Sequence, residues 1–301
     1  MSSSSFGRTG EKTAEQRMTK RPQGAADHQL KGFVLDRQLI VRSAYGLGYA
    51  GITFLALVLG TWPTVVLTCS FSALCSWEFF KLARMHGRMP NELLGVGAAV
   101  AFPIATHFSL YWIAIVFYLL IIATGIWFVV TPRANIFDVS VTIFGALYTG
   151  LLLSAIVRIR VVNPSAVGGV LTFIALASIW INDSLAYLVG TRLGKHKMAP
   201  RISPKKSWEG FIAGMLGSVA VWVLLSYTLL PMNLYLAVMT GVVAGFMGVC
   251  GDLFESRIKR GVSVKDSGNI MPGHGGMLDR SDSLLFGLAA ALFVLLLGGV
   301  I

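Results

Sequence analysis

The chain has 301 residues, of which 55% are hydrophobic and only 13% charged, and it carries a formal net charge of +11. Its mean hydropathy of +0.71 lies well outside soluble composition, so a water-soluble globular enzyme is excluded. In a chain this apolar the positive charge reports membrane topology and contact with anionic lipid, and no nucleic-acid partner is expected.

Residues 1–40 are polar and rich in Ser, Lys and Arg, with Glu11, Glu15, Asp27 and Asp36 among them. They contain no apolar core of a signal peptide and read as a disordered basic cytoplasmic tail. Residues 41–301 read as one all-α, polytopic membrane domain. Apolar runs of about 18 residues or more mark transmembrane helices. Such runs recur at 44–61, 64–82, 93–110, 111–130, 136–157, 167–190, 208–230, 234–252 and 283–301, giving about nine spans. Pro63, Pro90, Pro132, Pro164 and Pro231 fall at the proposed connections, whereas Pro103 predicts a kink or break inside the third run. Cys69, Cys75 and Cys250 lie inside apolar runs, match no zinc spacing and imply no disulfide framework.

With the N-terminus inside, every one of the 25 Lys and Arg except Arg158 and Arg160 falls on the inner side. That bias predicts a cytoplasmic N-terminus and an outside C-terminus. It also assigns both long basic loops, 191–207 and 253–282, to the cytoplasmic face.

Asp183 interrupts the apolar run Ile179-Trp-Ile-Asn-Asp-Ser-Leu-Ala-Tyr187. A carboxylate there costs several kcal/mol unless paired, hydrated or metal-bound, so it is a candidate site residue. In the 191–207 loop, Lys205, Lys206 and Ser207 directly precede an apolar helix. Ser207 is a natural N-cap, and a helix N-terminus beside lysines suits an anion. Lipid-headgroup binding by the same loop remains an alternative, and the Walker pattern is absent because Gly190-Thr-Arg-Leu-Gly-Lys195 is one residue too short.

Asp252 and Glu255 stand three residues apart, with Ser256 and Lys259 on the same helical face. Asp279 and Asp282 repeat the spacing at the next helix start, where helix capping is an alternative role. Between them the segment 256–282 holds five basic residues, three aspartates and a glycine turn around His274, Gly275 and Gly276. Carboxylate oxygens beside Lys and Arg are what a polyphosphate with a divalent cation requires. Asp252 and Asp279 are the first metal candidates, with Asp183, Glu255 and Asp282 as further ligands or orienting groups.

The segment resembles the signature of the phosphatidate cytidylyltransferase (CDP-diacylglycerol synthase) family. That pattern, Ser-x-apolar-Lys-Arg-x4-Lys-Asp, a small residue, Pro-x-His-Gly-Gly and Asp-Arg-x-Asp, falls on Ser256, Ile258, Lys259, Arg260, Lys265, Asp266, Gly268, Pro272, His274, Gly275, Gly276, Asp279, Arg280 and Asp282. The upstream Ile-Ser-Pro-Lys-Lys-Ser-Trp-Glu-Gly and Gly-Asp-x-x-Glu-Ser elements also look like family elements. Met271 and Ser281 depart from the usual residues, and no charged position does. The resemblance implies transfer of a cytidylyl group from CTP to phosphatidic acid, with release of pyrophosphate. It implies Mg2+, a second, monovalent ion being left open. The partners it implies are CTP, phosphatidic acid and membrane lipids, a homodimer being left open as well. Lys205, Lys206, Lys259, Arg260, Lys265 and Arg280 become candidates for phosphate contacts, with Ser203, Ser207, His274, Gly275 and Gly276 beside the substrate. The bacterial inner membrane, with the site facing the cytoplasm, is the implied location. Another CTP-dependent membrane lipid kinase or cytidylyltransferase is the near alternative; a secondary transporter is the competing class, but its hallmark repeat of two halves is absent here.

Overall fold

The fold is described by a computed structural model over residues 45–270 and 275–301. The basic tail, Met271, Pro272 and His274 lie outside the described residues. Helices occupy Tyr45–Leu59 (α1), Thr61–Met85 (α2), Glu92–Phe108 (α3), Leu110–Val130 (α4), Ile136–Ala146 (α5) and Ala155–Val162 (α6). They continue at Ala166–Leu193 (α7), Trp208–Thr228 (α8), Leu234–Gly261 (α9) and Leu278–Leu297 (α10). One turn of π-helix, Leu147–Leu151, joins α5 to α6, and the pair forms one span from Ile136 to Val162.

All nine apolar runs are therefore helical. Among the described residues, seven helices are long and apolar enough to cross a membrane: α2, α4, the α5–α6 unit, α7, α8, α9 and α10. The 17 residues of α3 rise about 25 Å, short of a hydrocarbon core of about 30 Å. Helix α3 runs through Pro103 without interruption. Ser109, in extended conformation, divides α3 from α4, close to the boundary between the runs 93–110 and 111–130.

Two boundaries differ from expectation. Helix α9 continues to Gly261, nine residues past the apolar run, and α10 starts at Leu278 rather than 283. Hydropathy drops where charged side chains begin, but the backbone has no reason to stop there. Lys259, Arg260 and the left-handed Ser263 finish α9 instead, with the Val262 and Val264 amides bonding to the Lys259 carbonyl. The 191–207 loop is not irregular either. It folds into an antiparallel hairpin of β1 (Lys197–Ala199) and β2 (Ser203–Ser207), so the chain is nearly rather than wholly α.

The helices α7, α8, α9 and α10 pack side by side with α2 and α6 behind them, enclosing a core that includes Phe80, Ile179, Trp222, Leu285 and Leu288. Small residues permit the close approaches, as expected where lipid supplies no hydrophobic drive between helices. A Cβ on Gly210 would stand 2.5 Å from the Ala186 carbonyl of α7. Tyr148, on the π turn, meets Phe254 of α9 at 5.3 Å between ring centroids, edge to face. The three cysteines are free.

Arg160, expected in an outside loop, is fully buried inside α6. Its guanidinium donates to the carbonyls of Leu57 at 2.8 Å, Asn163 at 2.6 Å and Pro164 at 3.1 Å. It ties α1 to the α6–α7 turn at the end of the domain remote from the 191–207 hairpin. The 28 residues of α7, about 42 Å of helix, separate the two.

Candidate active site

The hairpin and the adjoining ends of α7, α8, α9 and α10 surround a cavity of about 430 Å³. One wall comes from Asp183 and Tyr187 of α7 with Ser203, Lys205, Lys206 and Ser207 of β2. The other comes from Asp252, Lys259 and Arg260 of α9, Lys265 of the connecting loop, and Asp279, Arg280 and Asp282 of α10. Twelve of the sixteen residues singled out from the sequence thus face one space, although they come from segments up to about 100 positions apart.

Each wall has a local cause. Ser207 is the N-cap of α8, its hydroxyl accepting from the Gly210 amide at 3.3 Å. Strand β2 enters that cap extended, so Lys205 and Lys206 lie beside the helix start. Glu209 turns back to the His196 imidazole at 2.6 Å and to the His196 amide, closing the base of the hairpin rather than joining the cavity. On α9, the four-residue spacings hold: Ser256 donates to Asp252 at 3.1 Å, and Lys259 reaches Glu255 at 2.5 Å.

Two ion pairs join the walls and ends. Lys206 meets Asp252 at 2.7 Å across the cavity, with both side chains partly exposed. Lys259 also meets Asp279 of α10 at 2.5 Å, so one buried ammonium stands between the carboxylates of two helices. Asp279 is further held through its second oxygen by the Ser267 amide at 2.8 Å, the Ser267 hydroxyl at 3.0 Å and the Gly276 amide at 2.8 Å. Its carboxylate therefore fixes the loop between α9 and α10 as well as facing the cavity.

The remaining predicted residues lie differently. Glu255 is fully buried and does not line the cavity; it backs Lys259. Gly275 adopts φ +82°, and a Cβ there would stand 2.5 Å from Asp279. Gly276 is buried against Glu78, so both glycines support the loop from behind. His274 lies outside the described residues.

Sequence reasoning passed over one residue at this end of the molecule. Glu78, in α2, is 2% exposed. It accepts from the Ser267 hydroxyl at 2.8 Å, the Met277 amide at 3.0 Å and the Leu278 amide at 2.8 Å. The available signal was a lone carboxylate in an apolar run, the same signal that marked Asp183.

The cavity presents carboxylate oxygens of Asp183, Asp252 and Asp282 together with several cations. Among the described residues, no three acidic, His or Cys side chains already converge as a chelate. The oxygen donors of the cavity are of the kind that suits a hard cation held by one or two carboxylates plus phosphate oxygens and water. Lys205, Arg260 and Lys265 make no ion pair among the described residues, leaving them available to an anion.

A sequence profile of the cytidylyltransferase family matches residues 40–297. The phosphatidate cytidylyltransferase of Bacillus subtilis is 34% identical over 261 residues, covering 82% of this chain and 94% of that protein. That of a Synechocystis strain is 32% identical over 284 residues, covering 83% and 92%. The chloroplastic phosphatidate cytidylyltransferase 4 of Arabidopsis thaliana is 32% identical over 295 residues, covering 88% and 74%.

Proposed function

The chain belongs to the cytidylyltransferase family, and from that premise we infer that it is an integral membrane phosphatidate cytidylyltransferase. It transfers the cytidylyl group of CTP to phosphatidic acid, giving CDP-diacylglycerol and pyrophosphate. The single observation that carries this reading is the cavity itself: cations and carboxylates from three helices, the hairpin and the α9–α10 loop face one space at the end of an otherwise apolar bundle.

In this reaction an oxygen of the lipid phosphate attacks the α-phosphorus of CTP, and the bond to the bridging oxygen of pyrophosphate breaks. Both reactants are polyanions, so the protein must bring them together against their repulsion and hold the attack in line. Lys205, Arg260 and Lys265 neutralise phosphate charge, and the Ser203 hydroxyl donates to phosphate oxygens. Lys206 on one wall and Arg280 on the other supply positive charge for the departing pyrophosphate. Mg2+ would be held by Asp252, with Asp183 and Asp282 beside it, and when bound supplies charge neutralisation of the phosphates. Asp279 and Glu255 act through Lys259, whose ammonium they orient. No protein nucleophile is required. The lipid headgroup reaches the cavity from the bilayer, past the exposed Tyr187.

The test is incubation of the purified protein with labelled CTP and phosphatidic acid, with and without Mg2+. CDP-diacylglycerol and pyrophosphate are expected in equal amounts, and only with the metal. Absence of a CDP-lipid under every metal condition overturns the assignment.

The nine helices, with α1 and α3 crossing together with the seven longer ones, would put the N-terminus and the site in the cytoplasm and Ile301 outside, in a bacterial inner membrane. The concentration of basic side chains at the cavity end supports that orientation. A reporter fused after Ile301 should signal from the outer side; a cytoplasmic signal rejects this topology.

A further inference from the structure

We propose that Glu78 of α2 is a positioning residue that holds the α9–α10 loop and the start of α10 in register, and so sets where Asp279 and Lys259 stand. The inference rests on the cytidylyltransferase reading only for its kinetic arm.

The argument starts from the end of α10. The first amides of any α-helix have no partner inside it and must find one elsewhere. Met277 occupies the N-cap of α10 and supplies no side-chain bond. Glu78 supplies it from another helix, accepting from the Met277 amide with Oε1 and from the Leu278 amide with Oε2. These pairs are 199 and 200 positions apart in sequence. A carboxylate is the right group here, because the positive end of the helix favours a negative charge and both oxygens accept.

The same carboxylate reaches the loop that precedes the helix. The Ser267 hydroxyl stands 2.8 Å from Glu78 and 3.0 Å from Asp279. Its single proton serves one acid at a time, standing between the two, while the Ser267 amide keeps Asp279 bound. Glycines make the approach possible. A Cβ on Gly268 or on Gly276 would run into the Glu78 carboxylate. From Glu78 the chain of contacts runs through Ser267 to Asp279, then to Lys259 and the cavity. Glu78 itself does not line that cavity.

Glu78→Gln keeps shape and burial but leaves one acceptor oxygen where two now serve two amides and a hydroxyl, and sets an NH2 against the donors of the other. Three measurements on the purified full chain in detergent test the proposal: hydrogen exchange over residues 265–280, steady-state kinetics with CTP and phosphatidic acid, and the thermal midpoint. The expected result is faster exchange in that segment and a kcat lower by about 10²-fold, the cost of misplacing reacting groups by about 1 Å. The Mg2+ concentration for half-activity should rise, and Glu78→Asp should recover part of the loss. A purely structural role would lower the thermal midpoint and the yield while leaving kcat and the Mg2+ requirement of the folded protein as in the wild type. Wild-type exchange and wild-type kcat in folded Glu78→Gln overturn the proposal. Should that variant fail to fold, Ser267→Ala removes the link between the acids without adding bulk. Faster exchange over 265–280 with a several-fold lower kcat supports the proposal there, and no change in either rejects it. The exchange arm decides even for a protein that shows no cytidylyl transfer.

Discussion

Replacing Lys259 with Met is expected to destabilise the protein by about 3–5 kcal/mol, the usual cost of stranding buried charges by removing one partner. Lys259 is 7% exposed and Glu255 not at all, and the ammonium is 2.5 Å from both Glu255 and Asp279. The second oxygen of Glu255 is buried without a partner, so this acid depends on the lysine for compensation. Without the lysine, two carboxylates on α9 and α10 face each other with no cation between them. Unfolding in detergent with increasing denaturant measures the loss. The double variant Glu255→Gln with Lys259→Met should recover most of the stability, because it removes one of the stranded charges, yet remain inactive. A Lys259→Met protein as stable as the wild type would show that this trio does not hold α9 to α10.

Asp252→Asn is expected to act in the opposite way, costing activity and sparing the fold. The Asp252 side chain is 30% exposed and its lysine partner 21%, so the pair is screened and contributes little to stability. Its value lies in charge at the cavity wall. Removal of one preorganised electrostatic group typically lowers kcat by about 10²–10³, and that range is expected here together with a higher Mg2+ requirement. Asp252→Glu should fall between. Titration of activity with Mg2+, beside an unchanged thermal midpoint, checks the assignment. Wild-type activity and Mg2+ dependence in Asp252→Asn would remove Asp252 from the cation site.

Much of this was readable from local pattern. Each apolar run located a helix, seven of the spans among the described residues being long and apolar enough to cross a membrane, because hydropathy is a property of each segment by itself. The spacing of Asp252, Ser256 and Lys259 predicted one helical face, and they share it because 3.6 residues complete a turn. Ser207 was recognised as a cap because capping involves neighbours three residues away. The hairpin at 197–207 escaped notice because its two strands are short and neither alternates between apolar and polar. Arg160 was misread as a loop residue, since a charge near a helix end looks alike whether it meets water or three carbonyls.

The sequence by itself determined that the chain is a membrane protein, which loops carry charge, and the family to which its signature belongs. Tertiary structure alone decided the partners. Lys206 meets Asp252, Lys259 is shared between two helices, and Glu78 caps a helix 200 positions away. Those pairings follow from how apolar faces and glycines let the helices pack, and such packing leaves no mark on the spacing of residues along any one helix.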